Sequence, residues 1–312
     1  MKASILQDAR LPPPTTEPHT KTLPVRMLRL RANPAYLFLA PALLGLLLFK
    51  FIPILVAIVG SLFGTSLTGE VVFRGADNYR QVLSDTEFWA SLRITILFNA
   101  ITNPLQVVLS LSAAMLVFKP GPLIGFFRSV MFIPVTLSLV LTALIWNLLF
   151  DPFLGPVNAV ISALGFERQG FFKSESQALG SMVWLATWRG VGYWMLFMLA
   201  GLYAIPSSLY EAAKLDGAGW WQRLSHITLP LMKRPIAFVL VAATAINMLF
   251  FAPVYIITAG GPNGATETIM FRAYQAAFNY VDIGRSLAMS TALLVLVLAV
   301  ALIELRLMQS ED

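Results

Sequence analysis

The chain has no cysteine, only two histidines and few charges, with 12% of its 312 residues being Asp, Glu, Lys or Arg. Without thiols there is no disulfide, no thiolate nucleophile and no thiolate metal site. His19 and His226 fall in the N-terminal tail and in a polar loop, so no histidine cluster stands within an apolar segment. The charge fraction is about half that of a soluble globule. No Gly-x-Ser-x-Gly or His-Glu-x-x-His occurs. The nearest approach to a phosphate loop, "GFERQGFFKS" at Gly165–Ser174, lacks the Gly-Lys pair, so no ATP hydrolysis by this chain alone is expected. All sixteen acidic residues are expected in loops, tails or helix ends. Gradient-driven transporters usually bind their coupling ion with a buried carboxylate or the carbonyls of broken helices. That placement therefore argues against a self-sufficient, gradient-driven transporter, the main alternative reading. A membrane enzyme fits poorly, for want of a catalytic constellation.

What is present is apolar: 57% of residues are hydrophobic and the mean hydropathy is +0.74. Long charge-free runs approach the roughly 20 residues needed to cross a bilayer. Two adjacent runs interrupted only by Lys50 leave no room for a loop and merge into one long first helix. Asn33 is its N-cap and Pro34 its first residue. The other spans are expected at 89–117, 125–149, 177–204, 234–257 and 284–308. The fold class is thus an all-α polytopic membrane protein with six transmembrane helices. Residues 1–33 read as a polar, mostly disordered cytoplasmic tail without a signal peptide, 34–308 as the transmembrane domain and 309–312 as a C-terminal tail.

Six spans put both termini on one side. Thirteen basic residues lie in the two terminal segments and the second and fourth loops, against six (Arg74, Arg80, Arg168, Lys173, Arg272 and Arg285) on the other side. The positive-inside rule makes the first set cytoplasmic. The net charge of +6 then reflects topology rather than nucleic-acid binding.

The longest internal cytoplasmic loop, Tyr210–Pro235, is "YEAAKLDGAGWWQRLSHITLPLMKRP". Glu211–Leu215 favours helix, and Ala212 and Ala213 leave a low-relief face for close approach. Asp216–Gly217 closes the turn, glycine taking the left-handed conformation cheaply. A second amphipathic segment carries Trp220, Trp221, Leu224 and Ile227, and Leu229–Pro230 is expected to stop it. On the residues alone the loop is either an interfacial hairpin anchored by its tryptophans or a dock for a soluble partner.

Glu211-Ala212-Ala213, three residues, Gly217, nine residues, Ile227, one residue, Leu229-Pro230 resembles the EAA loop of permease subunits of binding-protein-dependent ABC importers. The likeness extends to Phe73–Leu92, to "DPFLGPVNAVISALG" and to Thr258–Ser290 with its Gly-Gly-Pro, all similar to external segments of the carbohydrate branch. The resemblance implies a coupling helix between helices 4 and 5, with Glu211, Ala212, Ala213, Lys214, Asp216, Gly217 and Arg223 facing an ATPase. It also implies two ATPase subunits that bind ATP and Mg, a second similar permease, and a periplasmic or lipid-anchored solute-binding protein. The chain itself would carry no cofactor, in a bacterial inner membrane. Whether Trp220 and Trp221 face lipid or ATPase stays open.

Three basic residues interrupt apolar spans: Lys50, Arg93 and Arg189. Snorkelling to the surface is the alternative use for each. Arg189, amid Trp184, Trp188, Tyr193 and Trp194, is the candidate for meeting sugar hydroxyls or anionic oxygens. Asn103, Trp146, Asn147 and Asn247 are further candidates for the solute path, with interhelical hydrogen bonding as the other use of the polar ones and packing of the aromatic ones. Pro53, Pro104, Pro134 and Pro253 are expected to kink their helices.

Overall fold

The structure, a computed structural model, describes residues 34–65 and 70–309. The tail 1–33 and residues 310–312 lie outside the described residues, so those domain boundaries stay expectations. The chain divides after Lys50 into two compact units. In the first, α1 (Pro34–Leu46) carries exposed side chains such as Phe38, Leu43 and Leu44, as suits a helix whose solvent is lipid. A π-helical turn, Leu47–Phe51, carries Lys50 and is followed by α2 (Ile52–Gly60). Phe38–Gly60 is long and apolar enough for one crossing, in keeping with a merged first span.

A short antiparallel hairpin comes next, β1 (Phe63–Thr65) paired with β2 (Val71–Phe73). The sequence had pointed only to an external loop here, because three-residue strands leave no readable alternation. Its base is fixed by α3 (Asp77–Ser84), where buried Asn78 donates to the carbonyls of Ser61 and Phe63, each at 2.7 Å.

Helix α4 (Thr86–Val117) runs through Pro104. Then follow α5 (Ile124–Thr136), α6 (Leu139–Leu149), α7 (Pro156–Ala163), α8 (Glu175–Tyr203), α9 (Ser207–Leu215), α10 (Trp220–Arg223) and α11 (Leu229–Leu231). The chain ends in α12 (Lys233–Asn247), α13 (Ile269–Phe278) and α14 (Ile283–Gln309). Phe38–Gly60, Thr86–Val117 and Ile283–Arg306 each satisfy the requirements of a span alone, and three bent pairs satisfy them jointly, giving up to six. The protein is an all-α polytopic membrane protein.

Three expectations need correction. The third span is not straight: α5 and α6 meet at 99°. Leu137 and Ser138 are extended there, and Ser138 Oγ caps α6 by accepting from the Leu141 amide at 3.1 Å. The fifth span ends at Asn247 rather than 257, and Pro253 starts a separate π-helical turn, Val254–Thr258, that closes on left-handed Ala259. The acids are not all outside the spans: Glu87 lies in the first turn of Thr86–Val117 and Glu304 in the last turn of Ile283–Arg306, from where its Oε1 reaches inward to accept from Thr244 Oγ1 at 2.8 Å. The exclusion of ion coupling drawn from acid placement therefore does not stand on its own.

Lipid is as apolar as leucine, so helices here associate through close packing and polar contacts. Ala114, Ala143, Ala178, Ala243 and Ala288 are fully buried. Gly192 of α8 lets α5 approach so closely that a Cβ would stand 1.7 Å from the Met131 carbonyl oxygen. Between helices runs a polar line: Asn247 Nδ2 donates to Asn103 Oδ1 (2.7 Å) and Gln106 Oε1 (3.1 Å). Asn103 Nδ2 donates to Thr244 Oγ1 (2.8 Å), and Gln106 Nε2 to the Ala186 carbonyl (2.8 Å). Trp194 Nε1 reaches Gln106 Oε1 at 3.2 Å. The line thus joins α14, α12, α4 and α8.

At the other end of the bundle an ion cluster ties α4 to α13 and α14. Arg272 donates to Asp85 (2.9 Å), Glu87 (2.5 Å) and Glu267 (2.8 Å), and Arg285 also pairs with Asp85. Burial alone would raise the Asp85 carboxyl. The hydrogen bonds from Arg272 and the Glu87 amide, with the charges of both arginines, outweigh it and hold the group below its ordinary value. The same carboxylates hold Arg272 firmly protonated against its own burial.

Candidate coupling surface and solute path

Helix α9 follows Pro206, whose fixed φ sets the chain's departure from α8, and the two helices bend by 67°. It ends in a Schellman motif: the Gly217 amide bonds the Lys214 carbonyl (3.1 Å), the Ala218 amide bonds that of Ala213 (2.8 Å), and Gly217 sits at φ +79°. Nothing crowds Gly217, so its role is the left-handed corner alone. The Gly219 amide then donates to Gln222 Oε1 at 2.7 Å and starts α10.

Leu229–Pro230 does not stop the second segment, contrary to expectation. A π-helical turn, Leu224–Thr228, runs directly into α11, so Pro230 lies within a continuous Trp220–Leu231 helix just after the widened turn. The chain turns only at Met232, where the segment meets α12 at 64°. Tyr210 and Thr228 hydroxyls, 2.9 Å apart, tie the two arms of the loop.

The coupling residues occupy two faces of α9. Ala212 and Asp216 are exposed, together with Leu215, whose side chain is 90% exposed and which sequence reasoning passed over. An exposed leucine at the tip of a polar helix is the signal that would have found it. Glu211 and Lys214, also exposed, line a cavity of about 320 Å³ with Tyr210, Lys119 and Arg223. Ala213 is half-buried. The structure therefore brings Glu211, Lys214 and Arg223 together and sets Ala212 and Asp216 apart from them.

The expected path residues fall into two groups. Asn103 and Asn247 are buried in the polar line, bonded to each other. Trp146 stacks on Phe150 (4.6 Å, 7°) and lies 5.7 Å from Trp188, while Trp188 and Trp184 remain exposed. Asn147 is half-buried beside this aromatic group. Tyr193 packs edge-on against Trp194 and Phe197. Arg189 is half-buried midway along α8, its Nε buried without a partner, and it forms no ion pair among the described residues. Arg93 and Lys50 are exposed. No group of three or more His, Cys, Asp or Glu side chains suited to a metal occurs among the described residues.

Residues 106–309, which include Gln106, Thr244, Asn247 and Glu304 of the polar line, α8 and the whole α9–α11 loop, match the family described as binding-protein-dependent transport system inner membrane component. The chain belongs to that family. Among relatives of this permease is a probable ABC transporter permease protein, YurN of Bacillus subtilis, 35% identical over 280 residues, covering 87% of this chain and 94% of the relative. The trehalose/maltose transport system permease protein MalF of Thermococcus litoralis is 33% identical over 88% of this chain and 93% of its own. Both agree with the resemblance read from the sequence. A chain in the crystal structure of a bacterial alginate ABC transporter, in complex with an alginate pentasaccharide-bound periplasmic protein, shares the fold. Its TM-score is 0.73 at 19% identity, covering 87% of this chain and 92% of that one.

Proposed function

We propose that this permease is the membrane-spanning subunit of an ATP-driven importer in a bacterial inner membrane. It passes a carbohydrate-like solute, delivered by a solute-binding protein, and has no ATPase site of its own. Two ATPase subunits bind ATP and Mg, and a second, similar permease completes the path. The single observation that carries the reading is the projecting α9. It projects from the end of α8, closes on a left-handed glycine, and presents Ala212, Leu215 and Asp216 unpaired at its surface. A short helix with a low-relief face and one protruding apolar side chain suits seating in a groove of a soluble protein. Motion of that groove would be passed to α8 and α12 at the two ends of the loop.

On the solute side, Arg189 supplies donors for hydroxyl or anionic oxygens, and Trp184 and Trp188 offer flat apolar faces. The aromatic relatives of this surface in the same helix, Tyr193 and Trp194, act as packing. The assay is co-purification from detergent followed by ATP turnover of the assembled complex. Stoichiometric ATPase and second-permease bands are expected. Gly217→Pro and Glu211→Lys are expected to keep the chain folded but abolish solute-stimulated turnover and uptake. Wild-type turnover in both variants, or a lone chain active in uptake, would overturn the proposal.

A further inference from the structure

The cavity behind α9 has an unusual wall. Lys119 just beyond α4, Lys214 of α9 and Arg223 of α10 face it with one carboxylate, Glu211, and none of these four side chains has an ion pair or hydrogen bond among the described residues. The remaining wall is mainly apolar, with Phe118 and Trp220 prominent beside Ser207, Tyr210 and Thr228. Three cations against one acid leave a surplus of positive charge in a space of about 320 Å³.

Its level in the molecule matters as much as its charge. It opens where α4 and α8 end, at Val117 and Tyr203, the point at which both helices leave the apolar zone. Exposed Tyr203, Trp220 and Trp221 stand nearby in the chain, the residue types that favour the headgroup layer. We infer that this cavity binds the headgroup of an anionic glycerophospholipid. Its phosphate would be met by Lys119, Lys214 and Arg223, and its glycerol and first methylenes by Phe118 and Trp220. Basic pockets between helix ends bind anionic lipid headgroups by this combination of charge and apolar wall. A free phosphate ion would satisfy the cations but leave the apolar wall uncovered. This inference stands apart from the importer reading, since it needs only a bilayer around the bundle.

The test uses the full chain reconstituted in phosphatidylcholine vesicles doped with brominated phosphatidylglycerol or brominated phosphatidylcholine. Bromine quenches tryptophan at close range, and the Trp220 share is the difference between wild type and Trp220→Phe. The expected result is stronger quenching of that share by the brominated phosphatidylglycerol. Lys119→Gln should weaken the preference about fivefold, equivalent to about 1 kcal/mol for one basic residue at an anionic surface, while Lys119→Arg should keep it. Equal quenching by the two lipids, or a preference indifferent to Lys119→Gln, would overturn the inference. Inorganic phosphate abolishing the preference would assign the site to a free anion, and purified ATPase abolishing it would assign the site to a protein carboxylate. Either result would also overturn it.

Discussion

Asp85→Asn is the most informative single change in the ion cluster. Asparagine keeps the shape and the N-cap of α4, where the Asp85 side chain accepts from the Glu87 amide at 3.0 Å. It removes the charge and, with Oδ1 kept on the Glu87 amide, sets an N–H donor where Oδ2 accepted from Arg272 and Arg285. Among the described residues Arg272 loses one of three carboxylates but retains Glu267 and Glu87, whereas Arg285 loses the one carboxylate it pairs with. Breaking a fully buried pair costs about 3–5 kcal/mol and an exposed pair at most about 1. Asp85 is 15% and Arg285 31% exposed, so the expected loss lies between, at about 2 kcal/mol. Asp85→Ala should cost about 1 kcal/mol more, through the lost cap. The assay is equilibrium unfolding in mixed detergent–dodecyl sulfate micelles, read by circular dichroism. Because the folded-state pKa is depressed, the stabilisation is fully present above the ordinary value of 3.8 and disappears as pH falls through the lower folded value. The gap between wild type and Asp85→Asn should therefore be largest near neutrality and shrink in acid. An unchanged midpoint at neutral pH, or a gap of equal size in acid, would refute the reasoning.

Three other outcomes follow from the same geometry. Gly192→Ala places a methyl 1.7 Å from the Met131 carbonyl oxygen, so α5 and α8 are forced apart at a cost of about 3 kcal/mol or more; Gly180→Ala, with nothing within 4 Å, should be neutral, and equal stability of the two by the same unfolding assay would contradict this packing. Gln106→Leu orphans the Trp194 indole N–H and one Asn247 proton and loses the bond to Ala186, an expected loss of about 2–4 kcal/mol, whereas Ser112→Ala, exposed and bonded only within its own helix, should change nothing measurable. Arg189→Ala should raise the KM for uptake in reconstituted vesicles while leaving unfolding unchanged or slightly later, since an unpaired charge is removed; unchanged uptake kinetics would remove Arg189 from the solute path.

The spans were legible because bilayer thickness imposes a length on apolar runs, and Thr86–Val117 and Ile283–Gln309 lie within three residues of their expected limits. The break between α5 and α6 was not, since Leu137 and Ser138 are ordinary inside a membrane helix and only the packing around them decides the turn. The Schellman corner at Gly217 was legible because it is local, contained within six residues. The ion cluster was hidden for the opposite reason. Asp85 and Arg285 lie 200 positions apart; alone, Arg285 reads as a topology-setting charge and Asp85 as an ordinary loop acid. Asn103 and Asn247 were visible as polar residues in spans, but their mutual bond, 144 positions apart, has no sequence signature. Glu304 looked like a helix-end acid because its position four residues inside the expected limit says nothing about where a flexible side chain turns.

The polar line has a kinematic consequence. Both amide protons of Asn247 and both of Asn103 are committed, the latter to Thr244 and to Asn99, and Thr244 passes its own proton to Glu304. A chain of donors so fully spent has no slack. If α4 slid past α12 by a single residue, several partners would be lost together, with no water at that depth to replace them. The helices α4, α8, α12 and α14 are therefore expected to move as one block, without internal shear. Relative motion falls to the parts outside that line: the jointed α5–α6 arm and the loop that carries α9.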